Sequence, residues 1–438
     1  MNFMKKTTYF LLLILFTIPL HCVAQYWEYD YFDASSMGRQ VILTDDSCFV
    51  VTATRNNTEA GVTIKLSQVG ELLGSFPFGG FSICQTFDGG YVIASGLNFQ
   101  DTRLLKVDSA GEFEWDHTYG GEQQNHFAKV ISTSDSCILA CGSTESYGDS
   151  CIFIVKTDSL GNLLWQRTFQ CSDYGIAKDL MEIDNHYFVS GIYQNANSDF
   201  VLFLIKLTPQ GTTVFRKEHT VGITGWSMAM NSDSTFIFCG MNRLVKLSHQ
   251  GDMIWSKLFN NNWRFASVDT LSEGGYIISG NIQYGTYYDE NALFKADAEG
   301  NVYWFQTYPN GSDNVMEEFS SVITLADNGF ITCGYSYFDD DEIYIRVLKT
   351  NESGQITSDV ETQAMSPIIT VFPNPATDEI HWNPCEKMNY SLMDIYGRTI
   401  LSGSGNYINT MQLQPGLYML TFHTNSGDLM KQVKVLKN

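Results

Sequence analysis

Residues 156–165 read KTDSLGNLLW, and this stretch decides the fold because the chain repeats it. Two copies keep the same Lys-x-Asp-x-x-Gly-x-x-x-Trp pattern, KVDSAGEFEW at 106–115 and KADAEGNVYW at 295–304. Weaker copies begin at Lys65, Lys206, Lys246 and Lys349. The intervals between successive lysines are 41, 50, 50, 40, 49 and 54 residues, the length of a four-stranded propeller blade and longer than most helical repeats. The seven copies therefore predict an all-β protein with a seven-bladed β-propeller.

A second landmark gives the same count. Apolar strands that end in a small residue recur at 49–53, 91–96, 138–142, 187–191, 236–240, 276–280 and 330–334. In the third unit, four strands are predicted near 128–133, 137–142, 151–156 and 163–169, separated by Asp, Ser, Gly or Asn. Segments of this length with this turn chemistry are typical of strands. In the last hairpin, Asp158 can bond the turn backbone and Gly161 can adopt a positive φ.

The two ends of the repeat complement each other. The last copy, from Lys349, enters a polar stretch after Ile356 without its tryptophan strand, whereas YWEY at 26–29 stands before any blade has begun. A ring left open there would expose a pair of strand edges. We therefore predict that residues 26–32 supply the outermost strand of the seventh blade, beside the Lys349 strand.

The first 24 residues have the composition of a signal peptide. Lys5 and Lys6 precede an apolar run at 9–20, and Ala24 stands just before Gln25, the expected mature start. The run is shorter than the roughly 20 residues that span a bilayer, and no later run reaches that length, so we expect no transmembrane segment after cleavage. Lipidation of Cys22 would favour a small residue before it, where His21 stands.

The charge of the chain is unevenly distributed. The net charge is −22, and loss of Lys5 and Lys6 with the signal peptide makes it −24. Residues 367–438 hold five basic and five acidic residues, so the whole −24 lies in residues 25–366. Such a body repels phosphate backbones and anionic lipids, which argues against nucleic-acid and membrane binding and favours cations or basic partners.

A linker and a small second domain follow the repeats. Residues 358–366 are polar and lack a strand pattern, so we expect them to join a propeller at 25–357 to a domain at 367–438. In that domain apolar strands alternate with Gly and Pro turns, which is typical of a small immunoglobulin-like β-sandwich.

Short motifs of this second domain follow one another in a fixed order. They are Pro373-Asn374-Pro375, then Asp394-x-x-Gly397-Arg398, then Gly416-x-Tyr418, then a final strand with Lys431, Lys434 and Lys437. In this order they resemble the type A C-terminal sorting domain of the type IX secretion system, over nearly all of 367–438. The turn signature of residues 26–357 likewise resembles repeats of Bacteroidetes surface propellers, and more distantly the tryptophan-docking repeats of quinoprotein dehydrogenases and outer-membrane assembly lipoproteins.

The sorting-domain resemblance implies an address. The domain would carry the folded propeller from the periplasm across the outer membrane, and the protein would be secreted or attached to the cell surface. A sortase-like peptidase would then remove the domain and join the cargo to lipopolysaccharide. By analogy the three lysines would dock on the secretion machinery, although lysines on a solvated edge strand also deter aggregation. Pro373 and Pro375 would serve as recognition elements or simply set a turn.

The sequence contains none of the common catalytic motifs. It has no phosphate loop, no His-Glu-x-x-His, no Cys-x-x-Cys and no Gly-x-Ser-x-Gly elbow. We therefore expect no cofactor and a non-catalytic scaffold that binds a glycan or protein partner at the propeller faces. The alternative is a polysaccharide-active hydrolase or lyase that uses acidic loop residues at the propeller mouth.

A recurring acid before the third strand is the best candidate for a site. The members are Asp101, Asp149, Asp199, Asp289 and Asp341. As a functional set they would form a ring of carboxylates that could hold a cation or a basic partner. As structural residues they would cap equivalent turns, repeated because the blade is repeated. The run Asp339, Asp340, Asp341 and Glu342 is a weak metal candidate, because it lacks the spacing of a calcium loop.

Overall fold

The computed structural model describes residues 26–437 apart from short gaps at 32–34, 56–60, 98–100, 147–150, 172–173, 223–226, 285–288, 310–316, 339–341, 357–369, 373–375, 377, 384–387, 395–397 and 424–428. The predicted signal peptide and linker lie outside these residues. The described chain is all-β, and no helix in it is long and apolar enough to cross a membrane. The chain divides into two compact units, 1–358 and 359–438.

The described strands of the first unit form seven four-stranded antiparallel sheets. The chain opens with β1 (Trp27–Tyr31). Sheet 1 contains β2 (Ser36–Leu43), β3 (Phe49–Arg55), β4 (Val62–Leu66) and β5 (Leu72–Phe76). Sheet 2 contains β6 (Ser82–Gln85), β7 (Tyr91–Leu97), β8 (Asp101–Val107) and β9 (Phe113–Tyr119). Sheet 3 contains β10 (Asn125–Ser132), β11 (Ile138–Thr144), β12 (Cys151–Thr157) and β13 (Leu163–Gln170).

The remaining sheets follow the same order along the chain. Sheet 4 contains β14 (Gly175–Ile183), β15 (His186–Gln194), β16 (Phe200–Leu207) and β17 (Thr213–His219). Sheet 5 contains β18 (Ser227–Met230), β19 (Phe236–Gly240), β20 (Arg243–Leu247) and β21 (Met253–Leu258). Sheet 6 contains β22 (Trp263–Thr270), β23 (Tyr276–Gln283), β24 (Asp289–Ala296) and β25 (Val302–Thr307). Sheet 7 contains β26 (Glu318–Thr324), β27 (Phe330–Phe338), β28 (Glu342–Thr350) and, at its outer edge, β1.

The seven sheets form a closed, propeller-like ring around a central channel. The first strand of each sheet packs on the sheet before it, and β2 of sheet 1 packs on sheet 7. Residues from the first strand of every sheet line the channel. The second and third strands are almost wholly buried, which explains their continuous apolar runs: in β12 every residue is buried. Cys141, Cys239 and Cys333 lie in this core as small apolar side chains.

The N-terminal strand closes the ring as predicted. β1 pairs antiparallel with β28, with Trp27 opposite Lys349. The Trp27 indole packs on Gly70, in the last hairpin of sheet 1, and its Nε1 donates a hydrogen bond to the carbonyl oxygen of Gln68 at 3.0 Å. Gly70 has φ of +82°, and a Cβ there would stand 2.7 Å from the indole. Glycine fits this position because it adopts a positive φ without strain and has no Cβ to contact the ring.

Trp27 thus supplies the missing tryptophan of the seventh repeat. In each sheet an aromatic side chain on the outer strand packs on the hairpin glycine of the next sheet, in the pairs Phe76–Gly111, Trp115–Gly161, Trp165–Gly211, Phe215–Gly251, Trp255–Gly300, Trp304–Gly354 and Trp27–Gly70. The repeated turn signature is therefore an inter-sheet contact. In sheet 4 Phe215 takes the position of the tryptophan, opposite Lys206. In sheet 1 Gly74 takes it, opposite Lys65, and Phe76, two residues later, makes the contact.

Six of the seven repeat lysines form ion pairs within their own sheets, whereas Lys206 lies over the Phe188 ring, with its Nζ 5.0 Å from the centroid. Each partner is an acid in the turn between the first and second strands, in the pairs Lys65–Asp46, Lys106–Asp88, Lys156–Asp135, Lys246–Asp233, Lys295–Glu273 and Lys349–Asp327, at 2.5 to 4.0 Å. Hydrogen bonds from Lys65 and Thr44 lower the pKa of Asp46 to about 2. The repeated lysine therefore has a structural role, because it pins the first turn of the blade to the third strand.

The small residue that we predicted at the end of the second strand lies inside that strand, opposite a β-bulge: β11 continues past Gly142 to Thr144. In sheet 3, β10 starts at Asn125, three residues before the predicted 128. Its pairing with β11 shifts between Phe127 and Lys129. A Cβ at Gly142 would stand 1.7 Å from the carbonyl oxygen of His126. Close approach of the bulged backbone thus explains the glycine.

Gly142→Ala is expected to lower the free energy of unfolding by about 3 kcal/mol, at the upper end for overpacking because the methyl group meets backbone. Urea unfolding of the whole chain measures this. Gly74→Ala is the matched control, since nothing lies within 4 Å of a Cβ at that position. Equal stability of the two variants would show that the bulge does not require glycine.

The second unit contains two sheets that share one core. Its strands are β29 (Thr370–Phe372), β30 (Glu379–Asn383), β31 (Met388–Asp394), β32 (Thr399–Gly405), β33 (Tyr407–Asn409), β34 (Gly416–His423) and β35 (Leu429–Lys437). One sheet has the order β29-β30-β33 and the other β32-β31-β34-β35. Ile380 and Ile408 of the first sheet pack with Leu392, Leu420 and Val435 of the second.

Candidate functional site

Bulges in the first strands place side chains at one mouth of the channel. In five sheets the register of the first strand shifts around a single residue, namely Arg39, Ala128, Lys178, Ala266 and Ser320. All five line one cavity of about 450 Å³, which we call the mouth cavity. A bulge turns its extra residue out of the alternating pattern of the strand. These residues therefore project into the cavity and not into the packing between sheets.

The residue after the bulge, or Ser82 and Ser227 in sheets 2 and 5, whose described pairing has no shift, ties neighbouring sheets together. Its side-chain oxygen accepts an N–H from the first strand of the next sheet: Gln40 from Ile83, Ser82 from Val130, Asp179 from Met228, Ser227 from Val268, Ser267 from Val322 and Ser321 from Val41, at 2.8 to 3.4 Å. The bond from Val41 to Ser321 closes the circle between sheets 7 and 1. These bonds satisfy donors on the inner edges of the sheets, which otherwise would be unpaired beside the channel.

Sheet 3 departs from this ring of bonds. Its residue is Lys129, which cannot accept a hydrogen bond. Asp179 compensates: its Oδ1 accepts the N–H of Leu180 and lies 3.5 Å from the Lys129 ammonium. The buried Asp179 carboxylate on the channel wall thus uses both of its oxygens to link sheets 3, 4 and 5.

Four ionisable side chains converge in the mouth cavity: Arg39, His126, Lys178 and Glu318. All four are half-buried. Burial and then the positive charge of Arg39 lower the pKa of Lys178 to about 8. Burial, with smaller contributions from Lys178 and Arg39, lowers the pKa of His126 to about 3, so the imidazole is neutral. Burial raises the pKa of Glu318, and the charge of Arg39 opposes that effect.

Arg39, a half-buried cation, is held by neutral groups. Its Nε donates to the Thr54 hydroxyl at 2.8 Å, and its guanidinium lies over the Phe81 ring, 5.5 Å from the centroid. Among the residues that the structure describes, no carboxylate lies within 4.0 Å of it, whereas Lys106, Lys156, Lys295, Lys349 and Arg346 each have such a partner.

Aromatic rings complete the wall of the mouth cavity. Phe81 and His126 meet edge to face with their centroids 4.5 Å apart, and Tyr174 stands exposed on the rim. Glu145 is a second, exposed carboxylate on the rim. The cavity therefore combines two cations, two carboxylates, a neutral imidazole and flat apolar surfaces.

The acids singled out before the third strands do not line this cavity where their side chains are described. Asp289 begins β24 and receives a hydrogen bond from Asn281 at 3.3 Å. Asp199 precedes β16, and its own N–H donates to Asn195, so Asn195 is the capping residue of that turn. Asp101 begins β8, while Asp149 and Asp341 lie outside the described residues. A ring of these carboxylates stays a prediction.

The weak metal candidates also fall largely outside the described residues. Asp339, Asp340 and Asp341 are not described, and Glu342 is described only as the first residue of β28. Elsewhere in the described chain no group of three or more His, Cys, Asp or Glu side chains is arranged to hold a metal ion.

Several motif residues of the second unit take part in its turns. The N–H and guanidinium of Arg398 donate to the Asp394 carboxylate, at 3.0 and 2.7 Å, which closes the hairpin between β31 and β32. Gly416 begins β34 opposite Lys437, and the Tyr418 hydroxyl donates to the carbonyl oxygen of Gln414 at 2.8 Å. Lys431 and Lys434 lie on β35, which is an edge strand. Pro373, Asn374, Pro375 and Gly397 are outside the described residues.

Comparison with known proteins identifies the second unit. Residues 370–436 match the family model of the secretion system C-terminal sorting domain. No curated relative matches the chain.

Solved structures with a similar arrangement are distant in sequence. PorZ, a surface component of the type IX secretion system of Porphyromonas gingivalis, is 11% identical with a TM-score of 0.44, over 89% of this chain and 58% of PorZ. The chain thus spans little more than half of PorZ. Virginiamycin B lyase from Staphylococcus aureus is 10% identical with a TM-score of 0.47, over 74% of this chain and 99% of the lyase. Identities this low transfer no activity.

The family match therefore confirms the sorting domain that the motifs of the second unit predicted. Such a domain implies interaction with the type IX secretion machinery and export to the outer surface or the medium. The chain carries a C-terminal sorting domain of the type IX secretion system.

Proposed function

We propose that this protein is a non-catalytic binding scaffold, exported to the cell surface or the medium, whose seven sheets are the blades of a seven-bladed β-propeller. Its sorting domain, an immunoglobulin-like β-sandwich, delivers it and is removed by a sortase-like peptidase. The partner is a glycan or a protein. The observation that carries the proposal is the combination of a matched sorting domain with a ring that leaves one concave, chemically mixed mouth cavity.

The address has a direct test. Deletion of residues 367–438 is expected to abolish export, so that the ring stays inside the cell, because the sorting domain is what the secretion machinery recognises. Immunoblots of medium, surface-shaved protein and periplasm measure this. A chain of full length with Gly74→Ala is the control for expression, since that position has free space. Unimpaired export of the truncated chain would contradict the proposal.

The second candidate is a polysaccharide-active hydrolase or lyase. Shifted pKa values of His126 and Glu318 in one cavity, beside Tyr174, favour it, because such groups cluster at catalytic sites. Against a hydrolase, the second carboxylate of the cavity, Glu145, is exposed on the rim, whereas a general-acid carboxyl is usually placed in a buried apolar setting. Release of reducing ends or unsaturated products from a bound polysaccharide would establish the enzyme.

A further inference from the structure

We propose that the mouth cavity binds an acidic saccharide residue, with Arg39 and Lys178 holding its carboxylate and the rings of Phe81 and Tyr174 contacting the sugar. This inference rests on the proposed function, since it names the ligand class of the scaffold. It also reverses the expectation from net charge, because a body that carries −24 would be expected to bind cations.

The first argument is the arrangement of charge. Arg39 and Lys178 line the same cavity, and the charge of Arg39 depresses the pKa of Lys178. Two like charges in a half-buried site repel each other; the Glu318 carboxylate offsets part of that cost, and a bound anion would offset more of it. The fully buried cations of the ring, Lys106, Lys156, Lys295, Arg346 and Lys349, each have a carboxylate within 4.0 Å, whereas Arg39 has none among the described residues and lines a cavity that has room for one.

The second argument is the chemistry of the cation. An arginine guanidinium offers a planar fork of donors that matches the two oxygens of a carboxylate. The contacts of Arg39 with Thr54, Met37 and the Phe81 ring hold this fork in place before any ligand arrives. A pre-positioned donor loses less entropy on binding.

The third argument concerns what surrounds the two cations. Glu318 lies in the same cavity and can accept hydrogen bonds from sugar hydroxyls, and its carboxylate would repel a doubly charged phosphate more strongly than a singly charged carboxylate. Phe81 and Tyr174 provide flat apolar faces, and about 450 Å³ is within the usual range for small-molecule sites. A single carboxylate on a hydroxyl-rich ring satisfies these features together.

The test is calorimetric titration of the mature whole chain with hexuronate oligosaccharides and with neutral hexose oligosaccharides of the same linkage. We expect uronate affinity to exceed neutral affinity at least tenfold and to fall with added salt. Arg39→Met, which keeps the length of the side chain, is expected to reduce uronate affinity by about 10- to 100-fold, the range for a lost charge-assisted hydrogen bond.

A pH series gives a readout that a purely structural role of Lys178 would not produce. The charged or titratable groups around Lys178 are Arg39, Glu318, Cys141 and His126. Because the Lys178 ammonium is lost above a pH of about 8, uronate affinity should decline between pH 7 and 9, and Lys178→Arg should keep affinity while removing that decline.

Controls separate the outcomes. Lys217→Met removes a cation on the outer strand β17 that pairs with Asp252, and it should leave uronate affinity unchanged. Equal binding of neutral and acidic oligosaccharides, or unchanged affinity in Arg39→Met, would overturn the acidic-ligand inference and leave a binding scaffold. Cleavage of the uronate would overturn the non-catalytic proposal but not the anion site. Absence of binding by every uronate tested would overturn the inference.

Discussion

Replacing Trp27 by alanine is expected to lower the free energy of unfolding by about 3–5 kcal/mol, the usual loss for a buried tryptophan. The indole is 7% exposed, and it packs against Phe49 with ring centroids 6.0 Å apart and on Gly70 of sheet 1. Without it, β1 keeps its backbone bonds to β28 and the ion pair of Glu28 with Arg346, but the packing of β1 on Gly70 of sheet 1 is lost. Denaturant unfolding of the whole chain, followed by circular dichroism, measures the loss.

Hydrogen exchange shows whether this loss opens the ring at the predicted place. In Trp27→Ala the amides of β28 that face β1, between Ile345 and Lys349, should exchange faster. Trp165→Ala is the matched control, because Trp165 docks on Gly211 in the same way but within the ring. It should destabilise the chain while β28 keeps its protection relative to the rest of the ring. Equal exchange of β28 in both variants would contradict a closing role for Trp27.

The repeat and its closure could be predicted because both depend on periodic contacts. Trp165 packs on Gly211 one sheet later, and each equivalent pair joins an aromatic side chain to the hairpin glycine of the next sheet. A periodic physical contact leaves a periodic sequence. The last repeat, from Lys349, lacks its tryptophan, and Trp27 stands before the first repeat. These two departures from the period together predicted the closing strand.

The mouth cavity could not be predicted, because it depends on bulges. A single extra residue in β2 and β14 turns Arg39 and Lys178 toward the channel, and an alternating strand pattern does not show where such a shift occurs. Alignment of the repeats on the small residue of the second strand would have offered a signal. The bulge position holds alanine in sheets 3 and 6, as Ala128 and Ala266, but a charged residue in sheets 1 and 4, as Arg39 and Lys178. The structural repeat does not require a charge there.

The recurring acids illustrate the opposite difficulty. We predicted a site from five acids before the third strand because they recur. The acids that contact the repeat lysines lie instead in the turn between the first and second strands, as Asp135 does with Lys156. Both sets recur with the same period. Sequence spacing alone cannot distinguish the two sets. The acid that pairs with a repeat lysine is the one whose turn lies beside the lysine in the folded sheet, and the spacing does not show which turn that is.

An ion-pair network joins the N-terminal strand to sheets 6 and 7. Arg346 of β28 is 3% exposed, and its Nε donates to the Glu28 carboxylate of β1 at 2.6 Å. Its Nη1 donates to the carbonyl oxygen of Tyr308 and lies 3.8 Å from the carboxylate of Glu317. Glu317 is 1% exposed, and burial raises its pKa to about 7, against the opposing effects of a Ser336 hydrogen bond and Arg346.

Arg346→Met is therefore expected to lower the free energy of unfolding at pH 8 by about 3–5 kcal/mol, because it leaves the Glu317 carboxylate buried without its cation. The loss should be smaller at pH 5. A carboxyl whose pKa is raised on folding stabilises the folded state below its ordinary pKa of 4.5 and loses that contribution as the pH rises through about 7. Without Arg346 that pKa rises further, so the decline of stability should steepen and extend above pH 7.

Two further variants make this prediction specific. Glu317→Gln should flatten the pH dependence between 5 and 8, and the double variant with Arg346→Met should recover stability at pH 8, because no buried charge is then left alone. Arg103→Met is the control for loss of an arginine: Arg103 pairs with Asp116 where both are partly exposed, so about 1 kcal/mol or less should be lost. If Arg346→Met cost no more than Arg103→Met, or the same at pH 5 and pH 8, the ring would be closed by the packing of Trp27 alone.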